Sequence, residues 1–67
     1  MHHFKNSSML SHCHHEGNCL EITFAKGQKY KYYGVPVEEY HNLTKEESAG
    51  NYFLNAIKGR YKHEKVE

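Results

Sequence analysis

The 67-residue chain contains no aspartate and no tryptophan, one proline and two cysteines. No apolar run approaches the ~20 residues that a membrane-spanning helix needs, and Met1-His2-His3-Phe4-Lys5 carries no apolar segment of the kind that directs secretion. A cytoplasmic protein with no membrane partner is therefore expected. Cys13 and Cys19 are too few for the disulfide framework of a small secreted scaffold, so reduced thiols are expected. Charge of one sign is also lacking: nine Lys plus Arg against eight Glu leave +1 with neutral histidines, a balance that does not by itself announce a nucleic-acid partner. With no Asp, no Ser or Cys at a recognisable nucleophile turn and no glycine-rich phosphate cradle, the expectation is a non-enzyme without cofactor. The length allows one small domain and excludes a multi-domain enzyme.

Aromatic residues are what the chain has in quantity. Six Tyr and three Phe carry large buriable area and make a folded core plausible. In Cys19-Leu20-Glu21-Ile22-Thr23-Phe24, apolar residues alternate with polar ones at the period of a half-buried strand. Glu16-Gly17-Asn18 before it is turn chemistry, so the stretch from Met9 to His15 is the obvious antiparallel partner. Beyond it, Gly27 suits a positive φ, and Lys29 to Gly34 reads as a third strand.

Val35-Pro36 marks the change from strand to helix, because Pro36 suits a first helical turn and pushes the residue before it into extended geometry. Glu38 and Glu39 sit at the favourable end of the dipole of a helix running to about Lys45, with Val37, Tyr40 and Leu43 expected to be buried. Ser48 is a candidate cap for a second helix, in which Ala49, Tyr52, Phe53, Ala56 and Ile57 fall on one stripe and Gly59 ends it. The expected fold is α+β, a three-stranded antiparallel meander followed by two helices packed on one face (β-β-β-α-α). One domain is expected over residues 7–62, with flexible termini at 1–6 and 63–67. Its core is drawn from Leu20, Ile22, Phe24, Val35, Val37, Tyr40, Leu43, Tyr52, Phe53 and Ile57, with Tyr30 and Tyr32.

The run Tyr30-Lys31-Tyr32-Tyr33-Gly34-Val35-Pro36, followed by Ser48-Ala49-Gly50-Asn51-Tyr52-Phe53 and by Ile57 with Tyr61, resembles the KTSC domain. That family is named for its place at the C-terminus of some lysyl-tRNA synthetases and also occurs as a stand-alone bacterial protein. Its pattern of a strand ending in Phe, a glycine turn, Tyr-x-Tyr, Val-Pro, Ser-x-Gly-x-Tyr-Phe and Ile-x-x-x-Tyr has a match at every element here, beginning with Phe24 and Gly27. The departure is in the first strand, where the family's apolar and aromatic residues give way to His12, Cys13, His14 and His15. The resemblance implies the fold and, through the synthetase context, RNA binding.

Tyr30 and Tyr32 share a strand face, and two hairpin registers remain open for that face. A three-residue loop sets Ile22 opposite Tyr30 and Leu20 opposite Tyr32, placing both tyrosines with the core. A four-residue loop sets the aliphatics with Lys29, Lys31 and Tyr33 and exposes a two-ring platform of the kind that stacks single-stranded bases. The first is favoured, because lysines are costly to bury. Lys29 and Lys31 cluster with Lys26, and Lys58, Arg60 and Lys62 cluster near the end. One basic face interleaved with Tyr30, Tyr32 and Tyr61 would be an electrostatic footprint for RNA, tRNA or a single strand, against the alternative of an ordinary mixed surface.

His12, Cys13, His14, His15 and Cys19 have the donor atoms zinc prefers. On a strand, however, His12 and His14 face one way and Cys13 and His15 the other, so no native metal is expected. A Cys13–Cys19 disulfide is likewise not expected, since simple registers place Cys13 near Glu21. The functional expectation is a small binding module for RNA; the rival class is a protein-interaction adaptor or self-associating module using a sheet edge.

Overall fold

A computed structural model describes residues 1–5 and 7–66. Among these residues five strands form one antiparallel sheet in the order β1-β2-β3-β4-β5: His2–His3, Leu10–Glu16, Cys19–Phe24, Lys29–Tyr33 and His63–Lys65. Between β4 and β5 the chain forms α1 (Val37–Lys45) and α2 (Ala49–Tyr52), the latter continuing directly into a π-helical segment over Phe53–Ile57. The α+β meander with two helices holds, but the sheet has five strands where the sequence indicates three. The additional strands come from the ends expected to be flexible. His2 and His3 pair with Cys13 and His12, while His63, Glu64 and Lys65 pair with Tyr32, Lys31 and Tyr30. Neither segment has alternating apolar side chains; both are held through backbone groups that the neighbouring strand would otherwise leave unpaired. Asn6 and Glu67, which belong to those ends, lie outside the described residues.

The central hairpin takes the first of the two registers. Leu20 lies opposite Tyr32 and Ile22 opposite Tyr30, with the Phe24 amide donating to the Gln28 carbonyl at 2.8 Å across the three-residue loop. Gly27 in that loop has φ 101°. The preceding hairpin turns on Gly17 and Asn18 with φ 56° and 60°, the paired positive angles of a type I′ turn whose twist matches that of its strands.

One irregularity decides the packing of β2. The β2–β3 register shifts between Leu10 and His12, so Leu10 faces Phe24 while Cys13 faces Ile22. Without this bulge Leu10 and Cys13, three residues apart, would point to opposite faces; with it both point inward and both are buried. The Ser7 Oγ accepts hydrogen bonds from the Met9 and Leu10 amides at 3.2 and 2.9 Å, fixing the entry to the strand. Cys13 lies opposite Ile22 rather than beside Glu21. Its burial on the inner face sets it apart from Cys19 on the outer face, and both thiols are free.

Leu10, Cys13, Leu20, Ile22, Tyr32, Val35, Leu43, Ala49, Phe53 and Ile57 form the core. The sheet's inner face meets one residue of α1 and three of the second helix in it. Val37, expected inside, is 46% exposed: it occupies the first position of α1, before the helix has turned onto the sheet. Tyr40 is half-buried instead of central and stacks on His15 with ring centroids 5.4 Å apart. His15 Nε2 donates to the Val35 carbonyl at 2.7 Å, so the histidine-bearing strand contributes a polar staple between β2 and the start of the helical region.

Leu10→Ala removes most of a fully enclosed side chain and is expected to lower unfolding stability by about 2–5 kcal/mol, whereas Val37→Ala should change it by no more than about 0.5 kcal/mol. Urea denaturation of both variants checks the contrast.

Candidate functional site

The strand register determines which tyrosines and cations can act together. Tyr30 and Tyr32 point to the helix-covered face, and their cross-strand partners on β5 are Lys65 and His63. Lys29 and Lys31 alternate with them and lie on the open face, where Lys29 Nζ is 3.9 Å from Glu21 Oε1 and Lys31 lies opposite both Glu21 and Glu64. Tyr33 on that face donates its hydroxyl to Glu64 at 2.7 Å, which ties β5 to β4. The single basic face expected from the sequence is therefore divided. Lys29 and Lys31 sit among carboxylates on one side of the sheet, and Lys58, Arg60 and Lys62 lie beyond the second helix.

A half-open cleft of about 320 Å³ lies between the β4–β5 end of the inner face and the π-helical segment. Tyr30, Tyr32 and His63 form its sheet wall, Phe53, Leu54 and Lys58 its helix wall, and Met9, Phe24 and Gln28 its remaining border. The rings are in contact. Tyr32 meets Phe53 edge to face at 5.5 Å, Phe24 meets both Tyr30 and Phe53 edge to face, and the exposed His63 ring lies 5.3 Å from Tyr32 and 5.8 Å from Tyr30. Burial, reinforced by the neighbouring Tyr30, raises the Tyr32 phenol above its ordinary value and keeps it neutral. The helix wall owes its shape to the wide turn, in which the Lys58 amide donates to the Phe53 carbonyl five residues back. Such π turns relocate side chains by one position and recur at ligand sites.

Tyr61 takes no part in this cleft. Its hydroxyl donates to Glu39 Oε2 at 2.7 Å, and the Tyr52 hydroxyl donates to Glu39 Oε1. One carboxylate on α1 thus joins the second helix and the turn after it, leaving Arg60 and Lys62 as exposed flanks of a tethered residue. Hydrogen bonding to Glu39 raises both phenols, with smaller contributions from burial and from the carboxylate charge. Elsewhere, burial pushes the Cys13 thiol up to about 12, which leaves it protonated and unsuited to nucleophilic work. Among the described residues no group of three or more His, Cys, Asp or Glu side chains is arranged to hold a metal ion.

Of the residues singled out in the sequence, the structure brings Tyr30, Tyr32 and Lys58 into one cleft, with Arg60 and Lys62 on the segment leading from it to His63. It separates Lys29, Lys31 and Tyr61 from them. Met9, Gln28, Leu54 and His63 are the cleft residues the sequence did not disclose. The only trace of Leu54 was an apolar residue off the helical stripe, and His63 lies in a segment without periodicity.

A five-stranded antiparallel meander with two helices on one face and an aromatic cleft at its last two strands defines a small α+β domain. The chain belongs to the KTSC family, whose model, the KTSC domain, matches residues 6–61. The crystal structure of a KTSC domain protein from Yersinia pestis is similar over 100% of this chain and 97% of that one, with 30% identity and a TM-score of 0.85. No curated protein matches the chain. No helix among the described residues is long and apolar enough to cross a membrane.

The Glu39 clamp has a pH signature. Both phenols are raised above the ordinary tyrosine value of about 10, so the stability they contribute is complete below that pH and is lost as pH rises above it, through the folded-state values. Ultraviolet titration of phenolate should show Tyr52 and Tyr61 ionising late together with Tyr32, Tyr33 and Tyr40, and Glu39→Gln should move two of these five to lower pH while Tyr52→Phe removes one.

Proposed function

We propose that this domain is a non-catalytic binding module whose ligand is single-stranded RNA, taken at the inner-face cleft. The observation that carries the reading is the continuity of aromatic and cationic groups: Tyr30, Tyr32 and His63 wall the cleft, Lys58 lines it, and Arg60 and Lys62 follow on the adjoining segment. Aromatic faces beside a backbone-tracking set of cations are the usual means of holding an unpaired strand. Lys29 and Lys31 play no part in this reading, because both lie on the open face, where Lys31 sits between Glu21 and Glu64 and Lys29 reaches Glu21. The non-enzymatic character is supported by the protonated, enclosed Cys13 thiol and by the absence of aspartate.

A protein-interaction or self-association role through a sheet edge has weaker support. The β5 edge is three residues of exposed His63, Glu64 and Lys65, and β1 is two residues long. Short and charged edges are those that resist strand addition.

Labelled single-stranded RNA should bind with a log–log salt slope of about −2, the value for three phosphate contacts on a single strand. A Lys58→Ala, Arg60→Ala, Lys62→Ala triple variant should lose the binding and its salt dependence. Absence of binding at low salt overturns the RNA reading. Sedimentation over a range of concentrations tests the edge reading, for which a concentration-independent monomer is the adverse result.

A further inference from the structure

Resting on the RNA reading, we infer that the cleft seats one unpaired base of the strand, its ring against Tyr30 and His63 and its phosphate beside Lys58. Three properties of the cleft select this occupant. About 320 Å³ is at the small end of ligand cavities, which suits one ring system and is too little for a helix or an added strand. The walls offer aromatic rings from both the sheet and the helix, with His63 exposed at the sheet's edge where a further flat ring can join it. The charge is one-sided: Lys58 is the charged lining residue, the register sets Lys65 on the same face beside Tyr30, and among the described residues no carboxylate lines the space. Glu64, the nearest acid in sequence, is turned to the other face by its pairing and held there by Tyr33.

A flat apolar group with a negative charge attached is the chemistry that meets all three conditions, and a nucleotide has it. An aromatic side chain of a partner protein supplies the ring without the adjoining anion. At the border, the Gln28 amide presents both a donor and an acceptor, the pair of functions that a base edge displays. Tyr32 and Phe53 are already in edge-to-face contact, so the base does not enter between them. It extends the ring series on the open side instead.

The experiment compares a labelled oligoadenylate with an abasic ribose-phosphate strand of equal length by fluorescence anisotropy, while NMR follows Tyr30, Tyr32, Phe53 and His63. The intact strand should bind about tenfold more tightly or better, as expected for one stacked base, and should shift those four residues. Leu54 is 40% exposed at the mouth, so Leu54→Glu and Leu54→Gln should both fold. The glutamate should weaken the intact strand about tenfold by repelling its phosphate, and the glutamine should do so much less. Equal binding of the abasic strand overturns the base-in-cleft inference and leaves the RNA reading standing; an unchanged affinity in Leu54→Glu overturns the inference and the cleft as the RNA's seat, leaving only RNA as ligand. No binding of either strand at low salt overturns both. A tyrosine-containing peptide that shifts the four residues when neither strand does overturns both in favour of a protein partner.

Discussion

The register of the β3–β4 hairpin is the constraint on which the rest of the molecule depends. Pairing Leu20 with Tyr32 and Ile22 with Tyr30 puts aliphatic and aromatic surface on the face that the helices cover, and turns Lys29 and Lys31 to the open face, where both are half-buried. A slip of one residue would exchange those sets, desolvating two ammonium groups and exposing two aliphatics. The same register builds the cleft, because Tyr30 and Tyr32 are wall residues only while they face Phe53 and, across β4, His63.

Around this hairpin, polar contacts set the angles at which elements meet. His15 links β2 to the Val35 carbonyl, Tyr33 links β4 to Glu64, and Glu39 receives the hydroxyls of Tyr52 and Tyr61. A domain this small has little core to hold its helices in place, so a carboxylate bridging α1, the second helix and the turn after it has structural weight out of proportion to its exposure. It also keeps the 58–62 segment, which bears Lys58, Arg60 and Lys62, against the body of the protein. Two of the tyrosines that carry the family pattern therefore serve the scaffold, and two serve the cleft.

Much of the fold was legible because its signals are local. The alternation through Cys19–Phe24, the glycine of the loop after it, Val35-Pro36 and the stripe from Ala49 to Ile57 each report a period or a backbone preference that neighbours in sequence determine. The candidate site was legible only in part. Tyr30, Tyr32 and Lys58 were named from the sequence and share the cleft. Lys29 and Lys31 were grouped with them by proximity along the chain, although strand alternation separates them in space. Leu10 was missed because a bulge reverses the parity that alternation assumes, and His63 because an edge strand of charged residues has no apolar period.

By itself, then, the sequence determined that three central strands and two helices form and favoured one of two registers for the middle hairpin, since propensity, turn geometry and the cost of burying lysine all act over a few residues; the structure settled that register. Only the tertiary structure decided that both chain ends join the sheet, that Leu10 and Cys13 enter the core together, that one glutamate gathers two distant tyrosines, and that the cations divide between two faces. Those outcomes depend on backbone pairing and on side chains brought together from remote parts of the chain, and neither leaves a pattern along the sequence.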